Sequence, residues 1–270
     1  MAKQETIGFI GGGNMAEAIV RGLLAAGTPA SAVTVAEPRA ARRRQLAKRF
    51  GVGATDDSAV AADARTLLLA VKPQTLPAVF DELGGRIGKR TVVVSIAAGV
   101  RLAKLERGLG RGTRVVRCMP NTPCLVGRGA SVLCAGKAAT RADLARARRI
   151  FDTVGIVRTV ERESLLDAVT ALSGSGPAYV YRFAEALVRA GRRAGLDADL
   201  AADLAIATVS GAGEMLTAGV GTPEQLRVAV SSPGGTTLAG LERFDEGDLD
   251  RLVEDVVRAA KRRSQELARG

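Results

Sequence analysis

Short apolar runs rich in β-branched residues alternate with amphipathic stretches over residues 1–162. The runs predict strands at Thr6–Ile10, Ala32–Ala36, Thr66–Val71, Thr91–Ile96, Arg114–Met119, Ser131–Cys134 and Ile156–Val160. Between them, apolar residues recur at helical spacing, for example over Met15–Ala26, Arg39–Phe50 and Arg141–Val154. Strands that alternate with helices predict an α/β domain with a doubly wound parallel sheet, covered by helices on both faces.

The pattern changes after Glu161, and no strand is predicted beyond it. Helices are predicted at Ser164–Leu172, Tyr179–Ala194, Asp197–Thr217, Pro223–Val230 and Leu249–Leu267. Their many Ala and Gly residues predict helices that pack closely. We therefore predict two domains, a sheet domain over residues 1–162 and an all-α domain over residues 163–270.

A glycine-rich turn follows the first predicted strand and opens a helix. Gly11, Gly13 and Ala16 match the pattern G-x-G-x-x-G/A. The first glycine permits a tight turn, the second lets the backbone approach a pyrophosphate, and the small third residue allows the helix to pack on the strand. The context predicts a Rossmann domain that binds a dinucleotide.

The end of the second predicted strand gives conflicting indications about the nucleotide. Glu37 could accept a hydrogen bond from a ribose 2′-hydroxyl, which favours NADH. Arg39 and the cluster Arg42–Arg44 could pair with the 2′-phosphate of NADPH. We expect NADPH to be the preferred cofactor and NADH to be usable.

Three further loops follow predicted strands, at Ala70–Pro73, Ile96–Gly99 and Met119–Pro123. Ligands of doubly wound folds bind at the carboxyl ends of the strands, where these loops lie. Small residues at Ala97 and Ala98 would let a nicotinamide ring approach the backbone. Asn121 belongs to the third loop, and we assign it to cofactor binding as well.

Two segments of the helical half are rich in small and polar residues, Asp167–Tyr179 and Val230–Leu241. In the second, Gly234 and Gly235 precede an amphipathic stretch, so backbone N–H groups and a helix dipole can converge on an anion. Thr236 and Thr237 add hydroxyl groups there. A substrate carboxylate fits such a turn.

Composition excludes several other classes of protein. The net charge of +11 is spread over scattered arginines and aromatic residues make up only 3%, so we expect no nucleic-acid partner. Three cysteines without a CxxC pair predict neither a disulfide framework nor a metal site, and indicate a reducing compartment. No apolar stretch is long enough to span a membrane, and no secretory signal is recognised, so we expect a cytoplasmic protein.

At this point the sequence resembles the pyrroline-5-carboxylate reductase family. The resemblance extends nearly from end to end, through GGGNMAEAI, AVKPQ, RCMPNTP, DAVTALSGSGPAYVY and SSPGGTTLAGLE. It implies a Rossmann domain followed by a helical dimerisation domain, in homodimers often assembled into larger rings such as a decamer. It also implies NAD(P)H-dependent reduction of 1-pyrroline-5-carboxylate to L-proline, the last step of proline biosynthesis.

The resemblance also implies residue roles. Cofactor contacts fall on Ile10, Gly11, Gly12, Gly13, Asn14, Met15, Ala70, Val71, Lys72, Pro73, Ile96, Ala97 and Ala98. Imino-acid contacts fall on Glu163, Thr236 and Thr237, to which the anion-binding turn adds Ser232, Gly234 and Gly235. Asp57 and Ala229 stand where members of the family have Asn near the cofactor. Asp57, with Glu37, would oppose a 2′-phosphate.

Reduction of an imine places few demands on acid catalysis, because a protonated C=N bond already carries the charge that makes its carbon electrophilic. The chain has no His, and Lys261 is the only Lys after Glu161. We assign Thr237 to orient or exchange the proton of the ring nitrogen. Two alternatives remain, a hydroxyacid-type dehydrogenase that reduces a carbonyl, and a dinucleotide-binding regulator without catalysis.

Overall fold

The computed structural model describes residues 5–268. The strands are β1 Ile7–Ile10, β2 Val33–Ala36, β3 Gly53–Thr55, β4 Thr66–Leu69, β5 Val92–Ser95, β6 Arg114–Met119, β7 Gly129–Ala135 and β8 Gly155–Thr159. The α-helices are α1 Asn14–Ala25, α2 Ala40–Phe50, α3 Ser58–Ala62, α4 Leu76–Leu83, α5 Leu102–Leu109, α6 Arg141–Phe151, α7 Leu165–Val169, α8 Gly176–Arg193, α9 Ala198–Thr217, α10 Pro223–Ala229, α11 Thr236–Glu246 and α12 Leu249–Leu267.

The strands form one sheet in the order β3-β2-β1-β4-β5-β6-β7-β8. Strands β1 to β6 are parallel, in the order of a Rossmann fold, which confirms the predicted fold class. The predicted parallel sheet has one antiparallel pairing, because β7 pairs antiparallel with β6, and β8 then pairs parallel with β7. A short loop joins β6 to β7, and a parallel pairing would have needed a long crossover connection.

Two local features differ from the sequence prediction. Strand β3 was not predicted, because Gly53–Thr55 is only three residues long and has no buried apolar side chain. The predicted helix Ser164–Leu172 is interrupted, since α7 ends at Val169 and a π-helical turn follows over Thr170–Gly174. Single π turns of this kind occur frequently at functional sites.

Alternating side chains on the central strands build a core on each face of the sheet. Phe9, Leu68 and Val94 pack on one face with helices α1 and α6. Leu69 and Val93 pack on the other face with α4 and α5. Because both faces are covered, β1, β4 and β5 are buried along their whole length, which explains their almost continuous apolar sequences.

The chain divides into two compact units. The first comprises the chain up to Ser175 together with the segment from Ala260 onward, and the second is Gly176–Ala259. The predicted boundary at residue 162 marks the end of the last strand. The first unit extends further because Leu166 of α7 is fully buried in one of its apolar cores. The last turns of α12 join it through Ser264, whose hydroxyl donates to Asp167.

The second unit has an unusual distribution of apolar residues. Within Gly176–Ala259, all of which the structure describes, only Ala201 and Ala205 are buried apolar residues. Large apolar side chains are instead exposed along its helices, including Val180, Phe183, Leu204, Ile206, Met215, Val228, Phe244, Leu252 and Val253. So many exposed large apolar side chains are unusual for a soluble monomer, and they give these helices the character of an interface.

None of the helices within residues 5–268 combines the length and the apolar composition that crossing a membrane requires. In the same residues, no cluster of three or more His, Cys, Asp or Glu side chains could hold a metal ion.

Candidate functional site

A cleft of about 380 Å³ opens at the carboxyl ends of β1, β2 and β4. It brings together the predicted cofactor residues Ile10, Gly11, Gly13, Glu37, Arg39, Ala70, Val71 and Lys72. Sequence reasoning missed Ala36, Pro38, Asp56, Ser58, Thr75, Ala78, Val79 and Glu82, which also line it. Four of them, Ser58, Ala78, Val79 and Glu82, come from α3 and α4, and no motif marks these four.

The glycine-rich turn forms the floor of the cleft. Gly11 has a φ of +96°, and a Cβ there would lie 2.8 Å from the carbonyl oxygen of Ala70. Both the backbone conformation and the lack of space therefore exclude a side chain at this position. Gly13 begins α1 without a side-chain cap, and the space where its Cβ would be is open. The free N–H groups of this 12-residue helix therefore face an accessible site that suits a pyrophosphate.

Glu37 is almost completely buried at the edge of the cleft, with 4% of its surface exposed. Its Oε2 accepts from the Gly12 N–H (3.0 Å), and its Oε1 accepts from the Arg39 N–H (3.1 Å) and from Arg39 Nε (2.7 Å). Burial opposes ionisation, but these hydrogen bonds outweigh it and lower the pKa of Glu37 below its ordinary value. The sequence predicts that Glu37 accepts a hydrogen bond from a ribose, but its carboxylate already accepts hydrogen bonds from Gly12 and Arg39.

The arginines beside the cleft differ in what their side chains contact. Arg42 donates from Nε to the Gly12 carbonyl (2.7 Å) and pairs with Glu17. Arg43 donates to the Glu37 carbonyl (2.8 Å) and pairs with Asp56 (2.8 Å). Both hold the protein's own loops, whereas the Arg39 side chain is 69% exposed. Of the arginines that we expected to meet a 2′-phosphate, Arg39 alone lines the cleft.

Asp57 does not point into this cleft. Its side chain caps α3 by accepting from the Ala59 N–H (2.8 Å), and it is absent from the lining residues. The sequence could not distinguish a helix cap from a ligand contact, because Asp serves both roles. The neighbouring Asp56 lines the cleft instead, and its charge is paired with Arg43.

The other predicted cofactor residues do not line the cleft. They are Gly12, Asn14, Met15, Pro73, Ile96, Ala97, Ala98 and Asn121. Asn121 has a structural task, because its amide donates to the Ser173 carbonyl (3.0 Å) and its Oδ1 accepts from the Ala130 N–H (2.8 Å). Ala98 is exposed in the loop after β5, where the Ala97 N–H donates to Ser95 Oγ (3.4 Å).

Glu163 belongs to the first unit and makes contacts within it. Its Oε1 accepts from the Leu102 N–H (2.8 Å) at the start of α5 and from Arg117 (2.8 Å). Arg117 is almost completely buried, and its Nη2 has no acceptor among the described residues. We expected Glu163 to contact the imino acid, but one of its oxygens is occupied by this pair.

The predicted anion-binding turn lies in the second unit. Gly234 has a φ of +70°, Gly235 is the N-cap of α11 in an extended conformation, and no side chain caps the helix. Thr236 and Thr237 are the first two residues of α11. Thr237 is therefore not the N-cap, so its hydroxyl is not used to cap the helix. That hydroxyl and the uncapped N–H groups at the start of α11 can bind a carboxylate.

Comparison with known proteins agrees with this architecture. A family model described as "Pyrroline-5-carboxylate reductase dimerisation" matches residues 163–267, and one described as "NADP oxidoreductase coenzyme F420-dependent" matches residues 6–99. A pyrroline-5-carboxylate reductase of Pseudomonas aeruginosa is 41% identical over 263 residues, covering 97% of this chain and 96% of the relative. One of Synechocystis is 44% identical, covering 97% of this chain and 98% of the relative.

Solved structures give the same result. A pyrroline-5-carboxylate reductase of Coxiella burnetii superposes with a TM-score of 0.92 at 36% identity, covering 98% of this chain and 99% of that one. A pyrroline carboxylate reductase of Plasmodium falciparum with NADP bound gives a TM-score of 0.84 at 30% identity, covering 98% and 99%. An NADH-preferring ketol-acid reductoisomerase is only 12% identical and shares the fold alone.

Proposed function

The chain belongs to the pyrroline-5-carboxylate reductase family, and from that premise we propose that it reduces 1-pyrroline-5-carboxylate to L-proline with NADPH. The observation that carries this proposal is the pairing of two anion-binding turns in one chain. One follows Gly11 in the first unit, and the other follows Gly234 in the second unit. The first fits a dinucleotide pyrophosphate, and the second fits the carboxylate of a small imino acid.

The nucleotide would be held by the chain's own backbone at Gly11–Gly13 and by residues of the cleft. Arg39 is the residue for a 2′-phosphate, because its guanidinium is exposed at the cleft and oriented by Glu37. The same Glu37 charge partly neutralises Arg39, so NADH should also be accepted. The bound NADP of the Plasmodium falciparum relative supports this preference.

The substrate carboxylate would be bound at the start of α11 by the N–H groups near Gly235 and by the hydroxyl of Thr236. Thr237 would hydrogen-bond the ring nitrogen and fix the orientation of the imine. The cofactor supplies the hydride. Because the protonated imine carries its own positive charge, these residues need only orient it and hold its proton, without an oxyanion site.

We also propose a homodimer formed through the exposed apolar faces of the second unit. The dimerisation model that matches residues 163–267 supports this assembly. A mass of about twice 27.9 kDa in light scattering would report a dimer, and a larger ring such as a decamer would have a correspondingly higher mass. The three unpaired thiols support the cytoplasm as the compartment.

The test of the substrate site compares Thr237→Ala with Thr237→Ser. Loss of a hydrogen bond to a charged partner should lower kcat/KM of Thr237→Ala by roughly 10- to 150-fold. Thr237→Ser keeps the hydroxyl and should retain most activity. The dissociation constant of NADPH should stay unchanged in both variants. Wild-type kcat/KM in Thr237→Ala would contradict the assignment.

Substitution of Gly235 is a poorer test. A Cβ there would lie 2.4 Å from Ser232 Oγ and 3.0 Å from the Ser232 carbonyl oxygen. We expect Gly235→Val to abolish turnover, but the turn itself would be distorted. The Thr237 pair avoids this ambiguity.

A further inference from the structure

The loop that joins β5 to α5, Ile96–Arg101, is fastened at its far end by two carboxylates. Arg101 Nη2 donates to Asp167 Oδ2 (2.7 Å), and the next N–H, that of Leu102, donates to Glu163 Oε1 (2.8 Å). Both carboxylates come from the segment that leads into and forms α7. The loop's position is therefore set by side chains distant in sequence.

Asp167 depends in turn on the last helix. It is 1% exposed, and its second oxygen, Oδ1, accepts from the hydroxyl of Ser264 (2.8 Å), which is itself 5% exposed. A buried carboxylate is costly unless its oxygens are hydrogen-bonded. Hydrogen bonds from Arg101 and Ser264 together satisfy the two oxygens of Asp167. The position of Arg101 is therefore coupled to that of the final turns of α12.

The same end of α12 also touches the middle of the loop. Gly99 has a φ of +74°, and a Cβ placed on it would lie 3.4 Å from Cβ of Leu267. Ser264 and Leu267 are one helical turn apart and so lie on one face of α12. One face of this helix therefore contacts the loop directly at Gly99 and indirectly through Asp167.

We propose that Asp167 and Ser264 are positioning residues, which hold Ile96–Arg101 in the place where it supports the nicotinamide ring. This inference rests on the proposed function and on the expectation from the sequence that the nicotinamide ring approaches this loop at Ala97 and Ala98. Neither side chain touches the cofactor. They act through Arg101 and through the end of α12.

The proposal predicts an effect on turnover rather than on nucleotide binding. The adenosine and the pyrophosphate are held at the cleft beside Gly11–Gly13, which these residues do not contact. The position of the nicotinamide end of the cofactor depends on the loop. A displacement of about 1 Å at a reacting centre can lower a rate by about 100-fold. kcat should therefore fall while KM for NADPH changes little.

The main experiment uses the full chain with Ser264→Ala, Ser264→Thr and Arg263→Ala. Arg263 is the matched control, because it lies on the same turn but pairs outward with Glu266. We expect Ser264→Ala to lower kcat about 10-fold with KM for NADPH within about twofold of wild type. Ser264→Thr should restore kcat, and Arg263→Ala should match wild type. Asp167→Asn should lower kcat at least as much as Ser264→Ala.

A second measurement needs no turnover. Amide hydrogen exchange of Ile96–Val100 should be faster in Ser264→Ala than in wild type and unchanged in Arg263→Ala. Wild-type kcat and wild-type exchange in Ser264→Ala, or a reduced melting temperature with kcat unchanged, would overturn the proposal. A wild-type protein that fails to reduce 1-pyrroline-5-carboxylate would instead overturn the proposed function, and exchange would still test whether Ser264 holds the loop.

Discussion

The two units of this chain differ in how completely each buries its own apolar side chains and pairs its own polar groups. In the first, both faces of the sheet are covered, Glu37 and Asp167 have internal donors, and the nucleotide cleft is formed by one chain. In the second, large apolar side chains such as Ile206 are exposed, and the buried apolar residues are alanines. The first unit covers its own apolar surfaces, whereas the second has exposed apolar helix faces that need a partner to cover them.

The difference separates two tasks. The proposed dinucleotide site is formed by residues of the first unit alone. The proposed substrate site at the start of α11 lies in the second unit, whose stability should depend on a second copy. Nucleotide binding should therefore survive changes that abolish assembly, while catalysis should not.

The largest expected effect comes from a charge on the exposed face of the second unit. Ile206 of α9 is 60% exposed, so Ile206→Asp would be nearly neutral in a monomer. In a dimer it would bury an unpaired charge, and we expect the mass to fall to 27.9 kDa and kcat/KM to drop by about 100-fold or more. Light scattering and steady-state rates check this.

The control for that variant is Val126→Asp in the first unit, where Val126 is 75% exposed. We expect it to keep the wild-type mass and activity. An Ile206→Asp protein with wild-type mass and rate would show that α9 is not in the interface. NADPH titration should give similar dissociation constants for both variants.

The next effect concerns the choice of nucleotide. Arg39→Ala removes the exposed guanidinium at the cleft and should raise KM for NADPH about 10-fold, since a charge-assisted contact to phosphate is lost. KM for NADH should change little. Arg44→Ala is the matched control, because Arg44 is exposed on α2, the helix that Arg39 precedes, and does not line the cleft. An equal rise of both KM values in Arg39→Ala would argue against a 2′-phosphate contact.

A smaller effect concerns stability and pH. The pKa of Glu37 is lowered in the folded protein, so its stabilising effect is present above the unfolded pKa and disappears as pH falls through the folded pKa. Glu37→Gln should lower the free energy of unfolding by about 1.5–3 kcal/mol at pH 7, and the difference from wild type should shrink as pH falls through the lowered folded pKa of Glu37. Glu185→Gln, an exposed carboxylate of α8, is the control. A difference that is independent of pH would contradict this account.

The smallest expected effect is on thiol reactivity. Cys118, Cys124 and Cys134 all lie in the first unit, and burial raises the pKa of each thiol. The native protein should react very slowly with a thiol reagent and take up three labels when unfolded. Ile206→Asp should stay equally protected, because its first unit remains folded. Rapid labelling of that variant would show that the two units unfold together.

The sequence predicted most of the first unit because its elements have strong local patterns. Continuous apolar strands and the Gly11–Gly13 turn are both local features. The reversed strand β7 and the short β3 depend on tertiary pairing, which no local pattern records. The role of α12 in the first unit was not predictable, since the bond from Ser264 to Asp167 joins residues far apart in sequence.

Some predicted site residues also make contacts within the protein that the sequence could not reveal, because one residue type has several roles. Glu37, Asp57 and Asn121 are polar residues at strand ends, as cofactor ligands often are. In the structure they respectively hold the Gly12 N–H, cap α3 and fasten a loop. Only the geometry of their partners distinguishes these tasks from ligand binding.

The most direct test of the central claim is a comparison of initial rates with 1-pyrroline-5-carboxylate and either NADPH or NADH. We expect one L-proline to form for each nucleotide oxidised, with both nucleotides used and a higher kcat/KM for NADPH. Binding of NADPH without oxidation in the presence of this substrate would contradict it.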